Sequence, residues 1–297
     1  MIHDAMQLSK YITNIHGEKL HGVLHATQSR DLIIAMHGFA SSMEFAPIID
    51  VCKLFQKMGV NAFRFNLSGH GSSNGNINAA TYTKCASDLD AVISYFHERG
   101  YSIKSVVAHS AGASATIIQT AKDSRIGSIM LIAPRLILAN SIIVKAIIAT
   151  GKTLCEVLEA HNTVYPYVVE IKGRKENRYY YFNKEYLEEL RDLDISKYLR
   201  QIQVPMAIIG GTLDDNVTRG EISQASEINT SISLCFIEGA GHTFWRNEHR
   251  VQLLAYLTNW YITAGHYTPL KKEENHTLND TQKQALLDAA TQIRFAE

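Results

Sequence analysis

The sequence lacks the charge imbalance of proteins that bind polyanions. Lysine plus arginine number 29, aspartate plus glutamate also number 29, and the formal net charge is zero. Proteins that bind nucleic acids usually carry a basic excess, so we expect no nucleic-acid partner. The one basic cluster, KGRKENR at 172–178, also contains a glutamate and is typical of a solvated hairpin turn.

Cysteine is scarce, and the cysteines are scattered. None of the four forms a C-x-x-C pair, and a metal site needs clustered ligands. We therefore expect no metal, no other cofactor, and reduced thiols in a cytoplasmic protein. The four cysteines are Cys52, Cys85, Cys155 and Cys235.

Segments for secretion or membrane insertion are also missing. The first residues contain no basic stretch followed by an apolar one, so we expect no signal peptide. The longest apolar segment, 136–149, contains an asparagine and a lysine and is too short to cross a bilayer. We expect no transmembrane segment. The sequence leaves open whether the protein is a monomer or a homodimer.

The chain does contain a regular alternation of short apolar segments and segments of helical periodicity. Apolar residues make up 46% of 297 residues, which is enough for a sizeable core. A hairpin is predicted first, over 10–27, and helices are predicted over 78–100 and 243–262, among others. Nearly continuous apolar strands in this rhythm indicate a mostly parallel sheet with helices on both faces.

The alternation is interrupted once, between residues 135 and 195. The sequence of these residues predicts an amphipathic helix, a tyrosine-rich hairpin and a charged helix. We therefore expect a core formed by 1–134 and 196–264 and an inserted cap at 135–195. A polar tail, 265–297, should contain one short helix.

The stretch VVAHSAG, at 106–112, places Ser110 between a predicted strand and a predicted helix. The residues two positions away, Ala108 and Gly112, are both small. A sharp strand-to-helix turn needs small residues there because the two backbones nearly touch. This pattern is typical of a nucleophile elbow, which lifts the serine hydroxyl clear of the sheet. The alternative is that Ser110 is only a small residue at a tight turn.

Three further stretches each follow a predicted strand, where the functional crevice of an open parallel sheet lies. In MHGFASS, at 36–42, the backbone N–H of Phe39 is expected to form an oxyanion hole with that of Ala111. His-Gly is also a common turn dipeptide, so this motif alone is weak evidence.

The other two stretches supply an acid and a base. IIGGTLDDNVT, at 208–218, contains Asp214 and Asp215, and IEGAGHTFWRNE, at 237–248, contains His242. One aspartate would orient the imidazole of His242, which would take the proton of Ser110. The alternatives are a helix-capping aspartate and a surface histidine. The chain order of serine, acid and histidine is that of an α/β-hydrolase triad.

These motifs resemble those of the α/β-hydrolase serine esterases and lipases. HGFASS resembles the oxyanion turn, AHSAG the elbow and RFNLSGHGSSNG, at 64–75, the Gly-His-Gly loop. GTLDDNV and GAGHTF resemble the acid and histidine loops. The likeness covers about residues 10–264 and is greatest to the cinnamoyl/feruloyl esterase and monoacylglycerol-lipase-like branch. It implies an α/β-hydrolase fold with a catalytic triad.

The resemblance also selects between the two aspartates. In the family pattern, the acid stands three residues after a glycine and three before a valine, and Gly211, Asp214 and Val217 match. Asp214 is therefore the expected acid. Two positions differ from the pattern, because Ala108 stands where the elbow usually has glycine and Asn66 where an aspartate often precedes the Gly-His-Gly loop.

The predicted function is hydrolysis of small to medium acyl or aromatic esters through an acyl-enzyme, with a small-molecule ester as the partner. A thioesterase or acyltransferase would use the same triad. A catalytically silent hydrolase fold that binds a ligand and a peptidase or amidase also stay open. The predicted cap is rich in apolar and aromatic side chains that suit an acyl chain or an aromatic acid. These are Ile142, Ile143, Val144, Ile147, Ile148, Tyr165, Tyr167, Tyr179, Tyr180 and Tyr181.

Overall fold

A computed structural model describes the backbone of residues 6–160, 164–171 and 174–264, and the side chains of all of these except 160–181. The predicted tail at 265–297 and the side chains of the predicted cap tyrosines lie outside the described residues.

An eight-stranded sheet forms the centre of the molecule, and a separate two-stranded hairpin lies in the interrupted region. The spatial order of the large sheet is β1-β2-β4-β3-β5-β6-β9-β10, with the hairpin formed by β7 and β8. In the large sheet, β1 pairs with β2 and β2 pairs with β4 in antiparallel fashion, and the other strand pairs of this sheet are parallel. The strands are β1 Gln7–Thr13, β2 Lys19–His25, β3 Asp31–Met36, β4 Asn61–Phe65, β5 Ser102–His109, β6 Ile129–Ile132, β7 Val164–Ile171, β8 Arg174–Tyr181, β9 Met206–Gly211 and β10 Ile232–Ile237.

Nine α-helices lie among the described residues, and none of them is long and apolar enough to span a membrane. Two short 3₁₀ turns, Ile77–Ala79 and Leu138–Asn140, accompany them. The helices are α1 Ala46–Lys57, α2 Tyr82–His97, α3 Ala111–Thr120, α4 Ile142–Ala149, α5 Leu154–Ala160, α6 Lys184–Asp192, α7 Ile195–Leu199, α8 Arg219–Ile228 and α9 Asn247–Thr263.

The core has two layers because strand residues alternate between the faces of the sheet. In β3, Ile34 and Met36 pack on the face covered by α2, α3 and α8, whereas Ile33 and Ala35 pack on the face covered by α1 and α9. All four are fully buried. The sequence prediction of a mostly parallel sheet with helices on both faces is therefore confirmed.

Two predicted helices begin later than expected, and local caps explain the difference. The helix predicted from residue 78 begins at Tyr82, because the hydroxyl of Thr81 accepts the N–H of Lys84 at 3.1 Å and ends the preceding 3₁₀ turn. The helix predicted from residue 243 begins at Asn247, because Phe244 has a φ of +49°, which a helix cannot include.

The region predicted to interrupt the alternation contains the expected helix, hairpin and charged helix, with α5 in addition. Helix α6 provides one of its contacts with the rest of the chain. The carboxylate of Glu189 accepts the N–H of Tyr82 at 2.6 Å and of Thr83 at 3.3 Å, at the start of α2. The N–H of Asn183 donates to the carbonyl of Asn78 at 3.1 Å.

Candidate active site

The turn between β5 and α3 holds Ser110 in a conformation that few residues adopt. Its φ is +52° and its ψ is −122°, a strained geometry that costs about 1–3 kcal/mol. The N–H of Ser110 donates to the carbonyl of Ile132 at 2.9 Å, which anchors the turn to β6. Gly112 is required here, because a Cβ atom on it would lie 2.2 Å from the carbonyl oxygen of His37. The serine is thus presented at the end of the strand, as the sequence predicts.

The structure brings Ser110, His242 and Asp214 together from three different loops. The Nε2 atom of His242 lies 2.9 Å from the Oγ atom of Ser110, and its Nδ1 atom lies 2.8 Å from Oδ2 of Asp214. The Asp214 side chain is fully buried, and that of His242 is 10% exposed. Asp215 is exposed to solvent. Of the two adjacent aspartates, the structure thus places Asp214 against His242.

The surroundings of Asp214 keep its carboxylate ionised. Oδ1 accepts two backbone N–H groups, from Asn216 and Val217, both at 2.8 Å. Burial alone would raise the pKa of Asp214, but the charge and hydrogen bond of His242 and these two N–H groups outweigh burial and lower it. An ionised carboxylate accepts the Nδ1–H proton of His242 and leaves Nε2 able to take a proton from Ser110.

The loop after β3 lies directly against the serine. A Cβ atom on Gly38 would be 3.0 Å from the Cβ atom of Ser110, and Phe39 is the next residue along this loop. Ala111 is the first residue of α3, and N–H groups in the first turn of a helix have no partner within the helix. Phe39 and Ala111 thus each follow directly after a residue of this contact, Gly38 and Ser110.

His70, in the predicted Gly-His-Gly loop, holds the loop after β3 in place. The N–H of Ala40 donates to its Nε2 atom at 3.1 Å, and its Nδ1–H donates to the carbonyl of Ser68 at 3.0 Å. Burial lowers the pKa of His70, so the ring is neutral and has one donor and one acceptor. Ala40 has a φ of +55°, and this hydrogen bond helps to stabilise that strained conformation. The Gly-His-Gly motif is recognisable in the sequence, but the sequence does not predict this role of His70.

Two more buried histidines support the loops around the triad. His109 donates from Nε2 to the carbonyl of His242 at 2.9 Å. His37 donates from Nδ1 to the carbonyl of Gly38 at 2.7 Å and accepts the N–H of Leu67 at Nε2. Burial lowers the pKa of each ring to about 3, so both are neutral. The sequence analysis did not predict these roles of His37 and His109. A histidine at the end of an apolar strand is a signal that could have indicated them.

A small cavity with room for about one water, about 10 Å³, lies beside the two predicted oxyanion donors. The ring of Tyr186 in α6 lies 5.7 Å from that of Phe39 and 4.7 Å from that of Phe182. The described residues that line the cavity include no carboxylate. They are Phe39, Leu67, His70, Ala80, Tyr82, Cys85, Ala111 and Tyr186.

The sheet order, the elbow and the three-residue site together define an α/β-hydrolase. The family model described as serine aminopeptidase, S33, matches residues 27–250, and the chain belongs to this family. The resemblance to α/β-hydrolases seen in the sequence is thus confirmed. A comparison with curated protein sequences gives no match.

Several solved structures share the fold at low sequence identity. Est1E from Butyrivibrio proteoclasticus, solved with ferulic acid bound, is 18% identical with a TM-score of 0.69, over 87% of this chain and 100% of that chain. The α/β-hydrolase GrgF from Penicillium sp. sh18 is 18% identical with a TM-score of 0.73, over 88% and 100% of the two chains. An esterase from Pyrococcus furiosus is 19% identical with a TM-score of 0.67, over 86% and 90%.

Proposed function

We propose that this protein is a serine-dependent carboxylic-ester hydrolase that acts on small to medium acyl or aromatic esters. One observation carries the proposal: a continuous hydrogen-bonded path runs from the hydroxyl of Ser110 through His242 to the buried carboxylate of Asp214. Nucleophile, base and orienting acid are each within hydrogen-bonding distance of the next group, which is the arrangement that activates a serine.

The chemistry follows from this arrangement in two steps. His242 takes the Ser110 proton at Nε2 as Oγ attacks the ester carbonyl, while Asp214 stabilises the imidazolium. The N–H groups of Phe39 and Ala111 bind the oxyanion, and each such donor is worth roughly 10²–10³ in rate. The intermediate then collapses, and His242 gives its proton to the leaving alcohol. In the second step, a water activated by His242 attacks the acyl-enzyme and releases the acid.

The apolar and aromatic side chains beside Phe39 and Ala111 support an acyl or aromatic ester as the substrate. An aminopeptidase has to bind the positively charged amino terminus of its substrate, which a carboxylate does best. The cavity beside Ala111 is apolar and aromatic, and none of its described lining residues carries a carboxylate. We propose that residues 135–195 act as a cap, in which the rings of Phe182 and Tyr186 pack against that of Phe39.

Labelling with a fluorophosphonate, which reacts with activated serines, tests the proposal. We expect the wild type and Ser87→Ala to be labelled, and Ser110→Ala and His242→Ala not to be. Ser87 is a suitable control because it lies in α2 and its hydroxyl only donates to the carbonyl of Lys84. A folded wild type that neither reacts with the probe nor hydrolyses a small activated acetate ester would support a silent ligand-binding fold instead.

A substrate panel separates the remaining enzymes that share this triad. It compares oxygen esters, thioesters and aminoacyl amides of matched acyl groups, with an aromatic acid among them. We expect kcat/KM to be highest for the oxygen esters. A thioester preference would indicate a thioesterase, and hydrolysis of the aminoacyl amides alone would indicate an aminopeptidase.

A further inference from the structure

A buried ion pair lies beside the loop that carries Asp214. Arg135 follows β6, at the start of the interrupted region, and Glu221 lies in the first turn of α8. Nη1 of Arg135 is 2.8 Å from Oε2 of Glu221, and the two side chains are only 6% and 2% exposed. Burying such a pair has a large desolvation cost, and apolar replacements are often as stable. Stability alone is therefore a poor explanation for its presence.

The second nitrogen of Arg135 connects the pair to the acid. Nη2 donates to the carbonyl oxygen of Asn216. The N–H at the other end of the same peptide group, that of Val217, donates to Oδ1 of Asp214 at 2.8 Å. A peptide group is planar and rigid, so a contact that fixes its oxygen also fixes the direction of its N–H.

The same peptide group has an electrostatic role. The guanidinium charge at the carbonyl end polarises the group, and this strengthens the N–H as a donor to Asp214. Lysine has a single ammonium on a flexible stem and lacks the rigid fork that allows arginine to hold two acceptors at once. Both contacts therefore depend on arginine at position 135.

Arg135 and Glu221 are themselves held firmly. The hydroxyl of Ser114, one turn after Ser110 in α3, donates to the carbonyl of Arg135 at 2.6 Å. Oε1 of Glu221 accepts the N–H groups of Leu136 and Ile137 at 2.8 and 2.9 Å. The pair thus connects the helix that follows the serine, the first residues of the interrupted region and the acid loop.

We infer that Arg135, held by Glu221, is a positioning residue that directs the Asp214 carboxylate toward His242 through the Asn216–Val217 peptide group. This inference rests on the proposed function, since it assigns Asp214 the role of orienting the base.

Arg135→Lys tests the inference, because it keeps the charge opposite Glu221 but removes the second contact. We expect kcat on a p-nitrophenyl ester to fall on the order of 10²-fold, as a small misplacement of a catalytic group does, while KM changes less than about twofold. Arg125→Lys is the matched control. Arg125 likewise contacts two acceptors, in its case the carboxylates of Asp90 and Asp123 at 2.6 and 2.7 Å, and its contacts do not reach the triad. We expect it to retain wild-type kcat and KM.

A second measurement does not depend on turnover. The proton on Nδ1 of His242, shared with Asp214, should give a low-field proton NMR signal. We expect this signal to shift or broaden in Arg135→Lys, to be lost in Asp214→Asn and to stay unchanged in Arg125→Lys. A wild type that shows the signal but hydrolyses no ester would refute the proposed function. The effect of Arg135→Lys on the signal would still test the inference in that case.

A folded Arg135→Lys with wild-type kcat and an unshifted signal would overturn the inference. If that variant does not fold, Arg135→Met/Glu221→Gln takes its place under the same criteria, because it buries no lone charge. Wild-type kcat and signal in the double variant would also overturn it.

Discussion

At the residue scale, backbone strain is concentrated in the loops around the candidate site. Four non-glycine residues of the described chain have a positive φ, and each lies in a loop that follows a strand of the sheet. They are Ala40 after β3, Ser110 after β5, Ala133 after β6 and Phe244 after β10. Strain of this kind persists only where surrounding contacts enforce it, and it clusters at functional sites.

The two neighbouring aspartates allow a direct test of the acid. We expect Asp214→Asn to lower kcat by about 10⁴-fold, because the amide favours the wrong tautomer of His242. Asp215→Asn should change kcat less than about twofold, since that side chain is exposed. Steady-state kinetics on one activated ester measures both variants, and equal losses would contradict the assignment of Asp214.

Gly112 provides a test of the elbow itself. The Cβ atom of Gly112→Ala would lie 2.2 Å from the His37 carbonyl oxygen. Helix α3 and the loop after β3 therefore have to move apart, and we expect a loss of about 1–3 kcal/mol in the free energy of unfolding together with a large loss of kcat. Gly220→Ala, in α8, has open space around it and should leave both quantities nearly unchanged. Urea denaturation and ester hydrolysis of the two variants check this, and a fully active Gly112→Ala would contradict it.

The sequence predicted Ser110, Asp214 and His242 as one set because each lies in a short motif after an apolar strand, and the structure brings the three side chains within hydrogen-bonding distance. It did not predict the roles of His70, His109 or Arg135. These side chains hydrogen-bond to backbone atoms of residues far away in the sequence, such as Ala40, His242 and Asn216. A local pattern does not reveal such a partner until the strands are arranged in space.

At the element scale, the contact between α6 and α2 connects the interrupted region, residues 135–195, to a helix that covers the eight-stranded sheet. Glu189 accepts N–H groups at the start of α2, where a helix has unpaired donors and favours negative charge. We expect Glu189→Ala to lower the free energy of unfolding by about 1–2 kcal/mol, the usual cost of losing a cap. Glu188→Ala removes only a partly exposed pair with Lys184 and should cost less than about 0.5 kcal/mol. Urea denaturation compares them, and equal effects would contradict this role of Glu189.

The order and type of most elements followed from hydrophobic periodicity, but their ends depended on caps and turns. Thr81 and Phe244 shift two helix starts through a side-chain hydrogen bond and a positive φ. The interrupted region was recognisable as a break in the alternation, whereas its contacts with α2 depend on the side chain of Glu189, which periodicity does not report.

At the scale of the whole molecule, buried neutral histidines make stability depend on pH. Burial lowers the pKa of His25 to about 4 and that of His37 and His109 to about 3. The unfolded chain, with histidine pKa values near ~6.5, therefore binds protons that the folded chain does not. Stability is thus fully present above about pH 6.5 and is lost as the pH falls toward these folded values.

Three carboxyls of the described residues oppose this trend, because burial raises the pKa of Asp88 and of Glu189 as well as that of Asp50. Burial raises the pKa of Asp50 to about 6, so the folded state gains about one proton there. The three histidines and Asp50 alone differ by roughly two protons between the folded and unfolded states, which contributes a loss of up to ~3 kcal/mol per pH unit near pH 5. Urea midpoints at pH 7, 6 and 5 measure it, and His25→Gln should reduce the slope by about one proton. Equal midpoints at pH 7 and 5 would contradict the prediction.

The central claim is that Ser110 becomes acylated. The most direct measurement mixes the protein with p-nitrophenyl acetate, quenches in acid within the first turnovers and locates the acyl group by peptide mass spectrometry. The account predicts an acetyl group on the peptide that contains Ser110 in the wild type and none in His242→Ala. Turnover without an adduct on Ser110, or an adduct on another residue, would contradict it.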